Sequence, residues 1–366
     1  MQTRILAIDH FGGRAEAVAA ALEVLRDGGV VALPTETVYG LAADATHAGA
    51  VKAIFQAKGR PAHDPLIVHV NGLRFLDGIA EIPDEIAADV RRIAEAFWPG
   101  ALTLVLPKGA DVAPAVTAGL PTVAVRQSAH PVLRQIIKEL GRPLAAPSAN
   151  RFGRISPTSA SAVVSELGGR IPLVIDTGAT RDGLESTIIR ILPGSGKPFI
   201  EILRHGPVTA EMLKSFGRIL KPSDRKRKGE ATPPATAIEV PGQLESHYAP
   251  STPLLLPARP SDFLPQEGKR YGLLSFRGHP ADGFVDRFAW DTIEVLSPGS
   301  GKLPEAGVRF FALLRLLDEA GLDGIVAEPL PERGVGRALV DRLRRAAHTH
   351  KPHTSEPQPE PDSTRP

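Results

Sequence analysis

Short apolar runs alternate with segments of helical period from Ala15 to Phe216, and this alternation confines the first part of the chain to an α/β sheet architecture. Ala15 to Arg26 carries Val18, Leu22 and Leu25 at helical spacing and stops at Gly28-Gly29. A strand over Val30 to Leu33 follows. Ala48 to Ala57 reads as a second helix, Leu66 to Val70 as a buried strand, and Pro83 to Phe97 as a third helix that ends before Pro99-Gly100. Leu102 to Leu106, Thr122 to Val125, Leu144-Ala145, Leu173 to Ile175 and Thr187 to Leu192 supply further strands, with helices at Pro131 to Leu140, Ser159 to Leu167 and Thr209 to Phe216.

From Lys221 the pattern breaks. Ser223-Asp224-Arg225-Lys226-Arg227-Lys228-Gly229-Glu230 and Thr232-Pro233-Pro234-Ala235 have no apolar periodicity and read as an exposed linker. Leu254 to Leu256, Tyr271 to Ser275, Ile293 to Leu296 and Gly324 to Ala327 then read as strands, and Ala306 to Ala320 and Leu339 to Ala347 as helices, giving a smaller α/β domain. Beyond His350 the chain is Pro-rich, lacks large apolar residues and reads as disordered. The expected division is a first domain over 1–217, a linker over 218–252, a second domain over 253–349 and a tail over 350–366.

Composition removes several classes of chemistry. With 366 residues, 42% of them hydrophobic, the chain can bury a core in each domain. The cysteine count is zero, which excludes disulfides, thiolate zinc sites and cysteine nucleophiles. No apolar run reaches the roughly 18 residues of a membrane span, and Arg4, Asp9 and His10 interrupt the N-terminus where a signal peptide would be apolar. A cytoplasmic protein with no membrane partner is expected. The formal net charge of +2, from 43 basic and 41 acidic residues, gives no global field, so attraction to an anion must come from local clustering.

Three apparent motifs carry no chemistry. Pro-Gly-Ser-Gly-Lys occurs at Pro193 and at Pro298, but neither copy has the upstream glycine or the following Ser/Thr of a P-loop. Gly334-Val335-Gly336 lacks the third glycine of a dinucleotide fingerprint, and Ser148 in Ala146-Pro147-Ser148-Ala149-Asn150 lacks the flanking glycines of a nucleophile elbow. The stretch from Gly28 to Leu41 is more telling, because an apolar strand runs into hydroxyls, a carboxylate and glycines. Lys58 and Arg60 lie at a helix C-terminus, where the dipole alone favours cations by roughly 0.3–1 kcal/mol. Arg126 and Arg204, however, each end an apolar strand. Together with Ser148, Ser156, Ser186 and Thr187 in loops, these cations fit a polyphosphate cradle that works by positioning and charge. Taken singly, each hydroxyl is also an ordinary turn or cap residue, His69 an ordinary core histidine, and His247-Tyr248 a packing anchor within the linker.

Pro34-Thr35-Glu36-Thr37-Val38-Tyr39-Gly40-Leu41, Lys58-Gly59-Arg60-Pro61, Trp98-Pro99-Gly100, Thr122-Val123-Ala124-Val125-Arg126, Ala146-Pro147-Ser148-Ala149-Asn150 and Glu185-Ser186-Thr187-Ile188 resemble, in this order, the YrdC-like domain of the threonylcarbamoyl-AMP synthase family. His247-Tyr248-Ala249-Pro250, Pro331 to Gly336 and Asp341 to Ala346 resemble its long, two-domain form, so the likeness spans about residues 5 to 348. It implies a twisted open sheet with a concave basic surface, followed by a smaller Rossmann-like α/β domain. It implies a reaction as well: L-threonine, bicarbonate and ATP become threonylcarbamoyl-AMP and pyrophosphate for the threonylcarbamoyladenosine modification of tRNA, with Mg2+ neutralising the leaving group.

By matching position, the resemblance gives threonine to Thr37, His69, Arg126 and Ser186, with Arg126 as the bidentate partner of its carboxylate. It gives the nucleotide to Lys58, Arg60, Asp64, Thr122, Ala146, Ser148, Ser156, Arg204 and Tyr248, the last as part of a lid. Asp64 stands where such enzymes commonly place asparagine, which brings a like charge to the triphosphate unless magnesium lies between. The linker reads Pro241-Gly242-Gln243-Leu244-Glu245-Ser246 in place of a methionine-containing version. The implied partner downstream is the tRNA threonylcarbamoyl-transferase machinery, in transient contact. A competing reading is an RNA-binding module using the Arg225-Lys226-Arg227-Lys228 run, but at 5% aromatic residues the chain offers no stacking platform beside those cations, so RNA binding would be weak. A carbamoyl-transfer maturation factor sharing the domain would carry cysteine zinc fingers, which the composition excludes.

Overall fold

A computed structural model describes residues 1–9, 12–220, 239–244 and 247–348. The basic run at 225–228, the Pro-rich stretch at 232–235 and the tail over 350–366 lie outside the described residues. The first part forms strands β1 (Arg4–Ala7), β2 (Val31–Leu33), β3 (Gly40–Asp44), β4 (Ile67–His69), β5 (Leu102–Pro107), β6 (Thr122–Arg126), β7 (Leu144–Ala145), β8 (Leu173–Asp176), β9 (Thr187–Leu192), β10 (Phe199–Arg204) and β11 (Arg218–Ile219). Its helices are α1 (Arg14–Arg26), α2 (Ala48–Lys58), α3 (Ala87–Phe97), α4 (Pro131–Leu140), α5 (Ala160–Leu167) and α6 (Ala210–Leu213).

These strands join in one mixed sheet ordered β1-β8-β2-β3-β7-β4-β6-β5-β9-β10-β11. Alternation along each strand sends successive side chains to opposite faces. Ala32, Leu41 and Ala43 accordingly join the core under α2, α3 and α5, whereas Val31, Leu33 and Ala42 join the one under α1 and α4. Two registers matter for the site. Parallel pairing of β4 with β6 sets His69 beside Arg126, and antiparallel pairing of β2 with β3 makes Pro34 to Tyr39 the connecting loop. His69 and Arg126 thus end two apolar strands side by side, at the same edge of the sheet.

The second part is a four-stranded parallel sheet in the order β12-β15-β13-β14, built from β12 (Leu254–Leu255), β13 (Tyr271–Ser275), β14 (Thr292–Val295) and β15 (Gly324–Ala327). Helices α7 (Leu303–Glu319) and α8 (Gly336–His348) accompany it. Val38, Ile155 and Leu184 of the first part share one apolar cluster with Phe310, Phe311 and Leu339 of the second, so the two parts are packed on each other. Among the described residues no helix is long and apolar enough to cross a membrane.

Several expectations need correction. The helix expected over Thr209 to Phe216 is only Ala210–Leu213, because Phe216 and Gly217 turn back onto Leu213 and the chain enters β11. The first turn expected of the third helix is a separate 3-10 turn, Asp84–Ile86. Strand β3 escapes a propensity reading since Gly40-Leu41-Ala42-Ala43-Asp44 is poor in β-branched residues; pairing with β2 and β7 makes it a strand. Helix α7 begins at Leu303, ahead of Ala306, because a proline is tolerated in a first turn, where its missing N–H has no intrahelical partner to lose.

Candidate functional site

Arg126 organises one wall of the site. Its Nη2 donates to Glu36 Oε1 at 2.7 Å, its Nη1 to Thr37 Oγ1 at 3.0 Å and its Nε to the Gly100 carbonyl at 3.0 Å. Burial by itself would raise the Glu36 carboxyl, but the charge of Arg126 and the hydroxyl of Ser128 outweigh it and hold the group down to about 2. Glu36 is therefore a fixed anion that sets the arginine's plane. His69, beside Arg126, is 2% exposed, and its Nδ1 has no hydrogen-bond partner among the described residues. Burial and the neighbouring Arg126 push its imidazole down to about 3, so it is neutral at physiological pH.

The other wall holds three buried cations on main-chain carbonyls. Lys58 Nζ donates to the carbonyls of Ser148 at 2.6 Å and Asn150 at 2.5 Å, turning toward the 146–150 loop instead of capping its own helix. Burial lowers its pKa well below the ordinary lysine range. Arg60 donates to the carbonyls of Asp64 and Pro65 and stands 2.8 Å from the Asp64 carboxylate, which burial raises against the pull of Arg60 and Lys58. Arg204 reaches the Ser186 carbonyl through Nε and Nη2 at 3.1 and 3.0 Å, and the Pro241 carbonyl through Nη1 at 3.1 Å. Ser186 in turn shares a 2.7 Å hydroxyl contact with Thr103.

The segment after the undescribed linker residues closes over this space. Pro241, Gly242, His247 and Tyr248 line the cavity together with Arg60, Arg126 and Arg204, and its volume is about 40 Å³. Tyr248 is 1% exposed, adopts φ 65° and has a hydroxyl without a hydrogen-bond partner among the described residues. Burial, then the charge of Glu185, pushes that phenol up to about 12. Gly242, at φ +84°, has to be glycine, because a Cβ there would come within 2.4 Å of the Tyr248 hydroxyl.

The residues expected from sequence divide by position. Thr37, Arg60, His69, Arg126, Ala146, Ser148, Ser186, Arg204 and Tyr248 all line the one cavity. Lys58 and Asp64 lie directly behind it, and Ser156 hydrogen-bonds Glu185, itself a lining residue. Thr122 opens β6 opposite Pro107, at the far end of the strand from Arg126. Sequence reasoning gave no role to Glu36 or Glu185. Each is an acidic residue where a motif meets a strand end, and that was the available signal.

Two family models cover nearly all of this architecture. One, described as telomere recombination, matches residues 23–206; the other, described as threonylcarbamoyl-AMP synthase, C-terminal domain, matches residues 208–348. The chain belongs to the threonylcarbamoyl-AMP synthase family. A threonylcarbamoyl-AMP synthase of Pyrococcus abyssi is 39% identical over 342 residues, covering 90% of this chain and 94% of the relative. The Bacillus subtilis threonylcarbamoyl-AMP synthase is 38% identical, covering 90% of this chain and 92% of the relative. A crystal structure of P. abyssi Sua5 complexed with L-threonine superposes with a TM-score of 0.78 at 36% identity, over 94% of this chain and 98% of that one. Membership in the threonylcarbamoyl-AMP synthase family makes the chain a transferase of the nucleotidyltransferase type acting in tRNA modification.

Proposed function

We propose that the cavity binds L-threonine and ATP side by side and joins them with bicarbonate into threonylcarbamoyl-AMP and pyrophosphate. The observation that carries this reading is the convergence of Arg60, Arg126 and Arg204 on one buried space together with Thr37, His69 and Ser186. A guanidinium has five N–H donors. Three of those on Arg126 are engaged, one from each nitrogen, so each Nη keeps a second donor for the threonine carboxylate, with Glu36 fixing the fork's plane. Neutral His69 offers a lone pair to an ammonium or hydroxyl hydrogen of the same substrate.

Lys58, Arg60, Ser148 and Arg204 would take the triphosphate, with Asp64 steering Arg60, Ala146 and Thr122 beside the nucleoside, and Ser156 holding Glu185. Threonine's amine, carboxylated by bicarbonate, supplies a carbamate oxygen. That oxygen forms the new bond to the α-phosphorus while the bond to the bridging oxygen breaks and pyrophosphate leaves. No acid or base on the protein has to become covalent; charge placement does the catalysis. Among the described residues no three His, Asp or Glu side chains converge as a metal site. Mg2+ would be held mainly by the triphosphate and its own waters, as is usual for this ion.

A cavity of about 40 Å³ holds a water or two and not a nucleotide, so on this reading the segment carrying Pro241 and Tyr248 swings aside for substrates to enter. Closed again, it would shield a labile mixed anhydride from water until the product passes to the tRNA-modifying machinery. The reading is tested by pyrophosphate release with threonine, bicarbonate, ATP or magnesium withheld in turn. Each omission should abolish release; release that continues undiminished without threonine would overturn the assignment.

A further inference from the structure

The small parallel sheet carries a second crevice that this reaction leaves unused. From β13 the chain crosses to β14 on one side and returns through α7 to β15 on the other, so the carboxyl ends of β13 and β15 flank a topological switch point. Open α/β sheets bind ligands at such points. Here the crevice has a volume of about 600 Å³, ample for a nucleotide-sized molecule.

Glu328, immediately after β15, gives the crevice its chemistry. Its side chain lines the space although the residue is 4% exposed. Oε2 accepts the Phe276 N–H at 2.7 Å, while Oε1 has no hydrogen-bond partner among the described residues. A buried acceptor left unpaired is costly, and a ligand N–H or O–H placed against Oε1 removes that cost. Burial also raises the Glu328 pKa above the ordinary carboxylate range, consistent with an oxygen poorly solvated by its surroundings.

The remaining walls fix the rest of the ligand. Phe276, Phe284 and Leu330 offer apolar surface for a flat ring. At the rim, Arg259 and Arg277 are neutralised by Asp262 and Asp282, but Arg333 has no acidic partner among the described residues and remains available to an anion. Ser300 and Gly301, from the Pro-Gly-Ser-Gly-Lys stretch that is no P-loop, form the floor ahead of α7. Gly301, at φ +64°, lies so close to Arg277 that a Cβ would meet its Cδ at 2.8 Å, so the floor is pressed against the wall by a residue only glycine can supply.

We propose that this crevice binds a nucleoside monophosphate, a hydrogen-bond donor of its ribose or base on Glu328 Oε1, its ring between Phe276 and Leu330, and its phosphate at Arg333. The probe is AMP, added to the full chain and followed by hydrogen exchange. Segments 276–284, 297–303 and 328–333 report on the crevice, and segments 34–41 and 146–150 report separately on the threonine and ATP cavity. AMP should slow exchange in the crevice segments, and Glu328→Gln should weaken that response about tenfold, since the amide can still accept from Phe276 but turns a donor toward the ligand. Arg333→Ala should weaken the response to AMP by a similar factor while leaving the response to adenosine intact. The cavity segments and the synthase Michaelis constants should be unchanged in both variants. Absence of slowing at millimolar AMP, slowing only by tRNA, or equal slowing in wild type and Arg333→Ala would overturn the proposal; the last result decides even if Glu328→Gln fails to fold.

Discussion

Arg126 shows why one residue type is required where another of the same charge would fit. Its planar fork serves Glu36, Thr37 and the Gly100 carbonyl at once and still presents donors to the cavity. A lysine is a point charge that can replace the attraction but not the geometry. Arg126→Lys should therefore raise the threonine KM by about tenfold or more while the ATP KM moves far less. Equal changes in the two constants, with an unchanged melting temperature, would contradict the assigned role. His69 makes a separate, pH-dependent contribution. Its folded-state pKa of about 3 lies below the ordinary value of 6.5, so below 6.5 the unfolded chain binds a proton the native state refuses. Stability is then full above about pH 6.5 and declines as pH falls toward 3, by up to about 1.4 kcal/mol per pH unit. Glu36 has the usual carboxylate sign in a lower window, its contribution being lost between about 4.5 and 2. Burial also lowers His130, His205 and His247, which share the sign of His69, whereas burial raises the Asp64 and Glu328 carboxyls, which act with the opposite sign. Denaturant unfolding between about pH 6.5 and 5 should give a shallower pH slope for His69→Asn than for wild type. Identical slopes would mean that His69 is protonated in the folded protein.

At the scale of elements, the segment that carries Pro241 and Tyr248 is the one proposed to move. It reaches the cavity through Tyr248, whose ring stacks near His247 and Phe311 with centroids 4.1 and 5.7 Å away, and through the Pro241 carbonyl on Arg204. The Tyr248 hydroxyl adds no hydrogen bond among the described residues; ring packing is joined by Arg204 on the Pro241 carbonyl, by Arg345 on the Gln243 and Leu244 carbonyls at 2.7 and 2.6 Å, and by the Ala249 N–H on the Gly153 carbonyl at 2.8 Å. Tyr248→Ala should lower threonylcarbamoyl-AMP yield with threonine binding partly intact, and truncation that ends the chain before Thr232 should do the same more severely. Limited proteolysis over residues 221 to 250 provides the check: cleavage equally fast with and without ATP and threonine would reduce the segment to a tether. How far such elements could be read in advance depends on where their stabilisation comes from. Helices α1 and α4 carry their own apolar stripe and stop signals, and the strand ends at Arg126 and Arg204 announce themselves as cations after apolar runs. Strand β3 does not, since its pairing partners supply what its composition lacks. Glu36 and Glu185 were equally hidden: their importance lies in the buried arginines they face, and those pairings, 90 and 157 residues apart in sequence, are made only by the fold. Tyr248 was visible as an isolated aromatic, whereas its near-complete burial depends on Phe311 of the second domain.

At the scale of the whole molecule, the second domain is joined to the site through Arg342. This side chain on α8 is fully buried, donates to Glu185 Oε2 from Nε and Nη2 at 3.3 Å each and to the His205 carbonyl at 2.6 Å, and places its guanidinium carbon 5.4 Å from the Tyr248 ring centroid. Glu185 lines the cavity and Tyr248 belongs to the lid, so one arginine of the C-terminal domain contacts both. Peripheral ion pairs such as Arg154 with Asp318 at 3.2 Å and Arg337 with Glu211 at 2.7 Å are more exposed and contribute little by comparison. Breaking a buried pair on one side leaves an uncompensated charge, so Arg342→Met should destabilise the protein by about 3–5 kcal/mol. Neutralising the partner as well relieves that penalty, and the double variant Glu185→Gln with Arg342→Met should recover most of the stability. Its ATP KM should nevertheless stay raised, because the cation behind Tyr248 is still missing and the lid loses the contact that orders it. Denaturant melts and steady-state kinetics on the single and double variants separate the two effects. A double variant that regains stability and the wild-type ATP KM together would show that Arg342 only glues the domains, and that the C-terminal domain has no hold on the lid.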